Sequence, residues 1–79
     1  MARTTLICVD TYISAARGRL AVKDHREFKT AEEALRRAEV SIDRGGVVGA
    51  LAYTIEADHD FEDYSEPVVL GRFGRTPDA

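Results

Sequence analysis

The sequence predicts an α+β fold in the order β-β-α-β-β, one helix packed on one antiparallel sheet. Three observations predict it: one capped amphipathic segment at 30–44, apolar runs rich in β-branched residues on both sides of it, and turn signals between the runs. At 79 residues the chain makes one domain, near the lower size limit for a self-sufficient core.

Residues 4–13 are dense in β-branched and aromatic types and read as a strand. Ile7, Val9 and Ile13 share one face, and Leu6, Cys8 and Tyr12 the other. Both faces are partly apolar, so the strand is covered on both sides or sits at an interface. Ser14 to Arg19 supplies a turn centred on Gly18, and Leu20, Ala21 and Val22 form a short return strand that fades into the charged stretch from Lys23 to Lys29. Thr30 followed three residues later by Glu33 makes a capping box. Ala31, Ala34, Leu35, Ala38 and Ile42 then recur at helical spacing, and Gly45-Gly46 stops the helix after Arg44. Because the stripe is mostly alanine, the helix should lie close to its sheet.

Val47 to Ile55 is the next strand, with Val47, Gly49, Leu51, Tyr53 and Ile55 on one face and the small residues Val48, Ala50, Ala52 and Thr54 on the other. The small face suits a close helix. Pro67 to Phe73 is the last strand, Pro67 standing where a missing donor is tolerated, with Val69 and Phe73 opposite Val68 and Leu70. The tail from Gly74 to Ala79 is expected to fray.

The hydrophobic fraction of 44% is ordinary for a globular chain. Cys8 is the only cysteine, so a disulfide within the chain is excluded. Flanked by Leu6, Ile7 and Val9, it reads as a buried small hydrophobe in a reducing compartment. There is no secretory pattern and no apolar run of bilayer-crossing length, which predicts a cytoplasmic protein.

Charge is distributed unevenly. Glu56, Asp58, Asp60, Glu62, Asp63 and Glu66 lie between two aliphatic runs, and no Lys or Arg occurs between Arg44 and Arg72. Of 14 acidic residues these are six, leaving eight against 11 Lys and Arg elsewhere; the remainder is formally +3 while the chain is −3. Such a pole can meet a basic partner, hold a cation, or keep a small protein in solution. Carboxylates along a hairpin can imitate the charge track of a nucleic acid, and Tyr53, Phe61 and Tyr64 beside them can anchor the contact. The expected partner-binding set is therefore Glu56, Asp58, Asp60, Phe61, Glu62, Asp63, Tyr64 and Glu66.

Other chemistries find less support. Asp58, Asp60 and Glu62 alternate as calcium ligands do, but the glycine and distant glutamate of an EF-hand loop are missing. His25 and His59 lie far apart in sequence and outside any zinc motif, and they read as exposed and idle. No nucleophile elbow or phosphate loop occurs, so no catalytic residue, metal or cofactor is assigned. The basic residues Arg17, Arg19, Lys23, Arg26 and Lys29 are interrupted by Asp24 and Glu27, which argues against direct nucleic-acid binding. They can instead meet the acidic segment of a second copy or of another protein. Apolar residues on both strand faces, with a core too small to use them, predict a homodimer through Leu51, Tyr53 and Ile55.

Two stretches carry a resemblance: Phe28-Lys-Thr-Ala-Glu-Glu-Ala-Leu-Arg-Arg-Ala-Glu39 and Pro67-Val-Val-Leu-Gly-Arg-Phe-Gly74. Together they resemble a group of short proteobacterial α+β proteins in which a helix feeds a terminal β-hairpin. In size, acidity and α+β make-up the chain is also similar to phage-encoded anti-CRISPR proteins. That likeness implies a non-enzymatic inhibitor or modulator that binds a basic protein surface, such as the DNA-binding groove of a nucleic-acid-guided effector. Two alternatives stand beside it: a bacterial regulatory or housekeeping interaction module, and a small metal-dependent factor or enzyme centred on His59.

Overall fold

The computed structural model describes residues 3–58 and 63–77, with 3, 63 and 64 by backbone alone. Strands β1 (Arg3–Ser14) and β2 (Leu20–Phe28) precede helix α1 (Ala31–Arg44), and strands β3 (Gly49–Asp58), β4 (Asp63–Tyr64) and β5 (Val68–Gly74) follow it. All pairings are antiparallel. β1 lies between β2 and β3, while β5 pairs with residues 49–54 of β3 and the two-residue β4 with its far end. The fold is α+β, with one helix on one face of one sheet.

The helix forms where its caps place it. Thr30 is extended, and its Oγ1 accepts the Glu33 N–H at 3.1 Å. At the other end Gly45 turns to φ 78°, a conformation that favours glycine, and its N–H returns to the Ile42 carbonyl. Ala34 and Ala38 are wholly buried against Ala50 and Ala52 of β3 and Val9 of β1, with Ile7, Phe28, Leu35, Ile42, Leu70 and Phe73 around them. The alanines on both sides set a close approach of helix and sheet. Larger side chains at the rim supply most of the apolar volume.

Three features depart from the sequence reading. β2 does not fade at Val22 but continues to Phe28 through the charged residues. It is an edge strand paired only with β1, so most of its side chains are exposed and charge costs little there. A bulge at Lys23 shifts its register: Thr11 pairs with Asp24 and Tyr12 with Val22, and the Thr11 hydroxyl accepts the Asp24 N–H at 3.2 Å. A second bulge, at Leu70, pairs Gly71 with Ala52 but Val69 with Tyr53. Strict alternation would put Val69 and Phe73 on one face; the bulge sends Phe73 and Leu70 together into the core and leaves Val69 on the other side. Finally, the segment from Gly74 to Pro77 is tied down. Arg75 N–H donates to the Val48 carbonyl at 2.9 Å, its guanidinium donates to the Gly18 carbonyl at 3.1 Å, and Arg72 donates to the Pro77 carbonyl at 3.2 Å.

Candidate functional site: the sheet face without a helix

The helix covers one face of the sheet, and no described element covers the other. Partners across the ladders share a face. The open face therefore carries Leu6, Cys8, Asp10 and Tyr12 from β1 beside Ile55, Tyr53 and Leu51 from β3, with Glu27, His25 and Val22 on the β2 side and Val69 and Arg72 on the β5 side. Two tyrosines stand in for a second layer. Tyr12 is 6% exposed and Tyr53 9%, and Cys8 is left 1% exposed although no helix lies above it.

A hydrogen-bonded group occupies the middle of this face. Tyr53 Oη donates to Asp10 Oδ2 at 3.0 Å, and His25 Nδ1 lies 2.5 Å from Asp10 Oδ1 and 3.4 Å from Tyr53 Oη. An ionised carboxylate only accepts, so this geometry puts the imidazole proton on Nδ1. The Asp10 side chain is 17% exposed and that of His25 51%. The pair sits at the boundary between a closed surface and water.

Beside it runs a shallow groove of about 410 Å³, lined by Asp10, Tyr12, Leu51, Tyr53, Ile55, Ser65 and Pro67. Its outer wall is the returning end of the acidic connection, fastened to β3 at Ser65. Ser65 N–H donates to the Glu56 carbonyl, and Glu56 N–H donates to Ser65 Oγ, both at 2.9 Å.

Burial and the Asp10 charge act on the surrounding acids. Burial first, then the Asp10 charge and the bond to it, pushes the Tyr53 phenol well above the ordinary tyrosine range. Burial and Asp10 raise Tyr12, with Arg72 pulling the other way. Burial, Glu27 and Asp10 raise the Cys8 thiol, opposed by its bond to Tyr53. A thiol that is both covered and raised is scarce as thiolate at neutral pH, so Cys8 serves packing rather than nucleophilic chemistry. Among the described residues no three His, Cys, Asp or Glu side chains gather as a metal ion would need, and no helix is long and apolar enough to cross a membrane.

Raised values on acids that are neutral when protonated have one sign. The fold favours the protonated forms, so this stabilisation is complete below the unfolded values, about 8.5 for the thiol and 10 for the phenols, and is lost as pH rises through the higher folded values. The urea midpoint is expected to be insensitive to these groups at pH 7–8 and to fall progressively above about pH 9. In Tyr53→Phe the alkaline fall should be shallower. Equal slopes for both proteins would remove Tyr53 as its source.

Of the residues expected at a dimer interface, Leu51, Tyr53 and Ile55 do come together, as the groove floor. Of the acidic set, Glu56 and Asp58 share one side of β3. They lie on the other side from Ile55, Asp58 is half-buried at the strand's end with Asp63 as its ladder partner, and Glu66 is exposed, its chain neighbours Ser65 and Pro67 lining the groove. Asp60, Phe61 and Glu62, with His59, lie outside the described residues, as do the side chains of Asp63 and Tyr64. His25 is exposed but not idle, because Asp10 holds it. Asp10 itself escaped the sequence reading, and its signal was present: one carboxylate inside Leu-Ile-Cys-Val-Asp-Thr-Tyr-Ile, in phase with Cys8 and Tyr12. No family model, curated protein or solved structure matches the chain.

Proposed function

We propose that the protein is a non-enzymatic binding module whose open sheet face docks on a basic protein surface and so inhibits or modulates that partner. The observation that carries this reading is the preformed groove: an apolar floor, a carboxylate at its head, and a wall belonging to the acidic connection. Apolar floors supply affinity, while the surrounding charge sets orientation and association rate. The charge polarity fits a partner rich in Lys and Arg, such as the DNA-binding groove of a nucleic-acid-guided effector. In that finer reading the protein acts as anti-CRISPR proteins do, and adding it to such an effector should block target-DNA binding.

The test is recovery of a partner from the native host with the tagged protein, followed by titration of that partner. Changing Asp58, Asp60, Glu62 and Asp63 together to Asn or Gln should leave folding intact, which an unchanged urea midpoint checks. Affinity should fall, and wild-type binding should weaken as salt rises, because rim charges are screened over about 8 Å at physiological ionic strength. Unchanged affinity without salt dependence would assign the acids to solubility. Leu51→Glu should abolish binding; full retention would move the docking surface off this face.

A second reading uses the same face for a second copy of the chain. It is favoured by Val22 and Val69, 56% and 36% exposed, which extend the apolar floor toward both sheet edges. Light scattering at micromolar concentration separates the two, with a dimer mass that Leu51→Glu reduces to a monomer assigning the face to self-association.

A further inference from the structure

From the docking reading of this face, on which the inference rests, we infer that the groove is a receptor for one arginine side chain of the partner, with Asp10 as its counter-charge and Tyr12 and Tyr53 as its aromatic walls.

The argument begins with the state of Asp10. Its two oxygens each accept one bond, from His25 and from Tyr53. A carboxylate offers about four lone-pair positions, so each oxygen keeps one. Tyr53 donates from a neutral hydroxyl, so that bond leaves the carboxylate its charge. His25 stands on the β2 side of Asp10, while the groove opens on the β3 side. The charge is felt in the groove: Asp10 raises the phenols of both Tyr12 and Tyr53.

The remaining groups match a guanidinium. Two parallel N–H groups can take the two free lone pairs of one carboxylate, a geometry that an ammonium cannot reproduce. The planar cation also stacks on tyrosine and is weakly hydrated, which suits a carboxylate only 17% exposed. Leu51 and Ile55 meet the alkyl stem or a neighbouring apolar residue. The 410 Å³ volume lies within the range of small-ligand sites, about 300–1,000 Å³. The chain's own nearest arginine on this face is otherwise engaged, since Arg72 turns to Thr76 and the Pro77 carbonyl. Among the described residues, no Lys or Arg pairs with Asp10.

Two blocked dipeptides test this on the intact protein, acetyl-arginyl-leucine amide and its citrulline counterpart, which keeps the shape and removes the charge. Amide shifts followed by NMR are expected at Leu51, Tyr53, Ile55 and Ser65 with the arginine peptide. The citrulline peptide should bind about tenfold more weakly, the factor that about 1.4 kcal/mol confers. Asp10→Asn should bring the arginine peptide to the citrulline level. Should Asp10→Asn not fold, the two peptides on the wild-type protein still decide. Equal affinities, shifts confined to the acidic connection, or open-face signals that respond to protein concentration but not to peptide would each overturn the inference. The last outcome would identify a second copy as the occupant. Retained partner binding that is sensitive to Leu51→Glu, together with silent peptides, would sink the arginine receptor while leaving the docking face standing.

Discussion

Gly49→Ala is expected to destabilise the protein by about 3 kcal/mol or more, at the upper end of what overpacking costs. Gly49 is buried where β3 begins, paired with Tyr12 on one side and Gly74 on the other. A Cβ built there would lie 1.6 Å from the Arg75 carbonyl oxygen and 2.5 Å from its carbon. These are backbone atoms, and they are fixed by the bond from Arg75 N–H to the Val48 carbonyl. No rotamer change relieves the clash. The end of β5 must peel away, taking with it the Arg75 contact to the Gly18 carbonyl. For a chain of this length total stability is of the order of 4–12 kcal/mol, so the loss is a large share. Urea unfolding measures it directly. A variant within 0.5 kcal/mol of wild type would mean that the segment after Gly74 moves aside at little cost, which hydrogen exchange at Arg75 would register.

Tyr53→Ala should have an effect of similar size and a second readout. Removing a buried aromatic side chain costs about 3–5 kcal/mol, and the lower figure applies at a face with no layer above it. The ring also shields Cys8, so the variant should expose a thiol that reacts slowly in the wild type. Alkylation by iodoacetamide under native conditions, quenched and weighed by mass spectrometry, reports it. Tyr53→Phe separates the two roles of the residue: it keeps the cover but removes the donor to Asp10 Oδ2, and should cost about 1 kcal/mol with Cys8 still protected. If both variants expose the thiol equally, the hydroxyl rather than the ring closes the face.

What could be read from the sequence was what local chemistry encodes. Thr30, Glu33 and Gly45 mark the helix ends within a few residues of themselves, and the alternation of Ala50 and Ala52 with Leu51 and Tyr53 tells which side of β3 meets the helix. The length of β2 beyond Val22 was hidden because an exposed edge strand needs no apolar period, and its Lys, Asp, Arg and Glu imitate a loop. The bulge at Leu70 was missed for a different reason. Its one signal is Gly71, a strand glycine beside the bulge whose added Cβ would lie 2.7 Å from Leu35 Cδ2 of the helix. The candidate site was half legible. Leu51, Tyr53 and Ile55 announced themselves as large residues on one face, whereas Asp10 and His25 are brought together only by the register of the first hairpin, itself set by the bulge at Lys23. The acidic run drew attention by composition, yet Glu56 and Asp58, its two members on β3, lie on the side away from Tyr53 and Ile55.

The position of β1 has a consequence for how the protein is made. This strand is translated before the other described elements, yet it lies inside the sheet, and its second neighbour is β3. The closest contact between the two, Tyr12 with Gly49, spans 36 intervening residues. A ribosome adding about 5–20 residues per second needs roughly 2–7 s to supply them, whereas a hairpin forms in about 1–10 μs. The nascent chain therefore has time to sample a β1–β2 hairpin, marginal as an isolated hairpin is in water, before β3 exists. Through that interval the bare edge running from Leu6 to Tyr12 presents unpaired amides and carbonyls beside apolar side chains, a template for pairing with another strand. β2 guards its own free edge with charge, but between Leu6 and Tyr12 β1 has only Asp10. The vulnerable moment of this protein falls on the ribosome, and helix α1, emerging next, is the first element able to shield one face of the waiting strand.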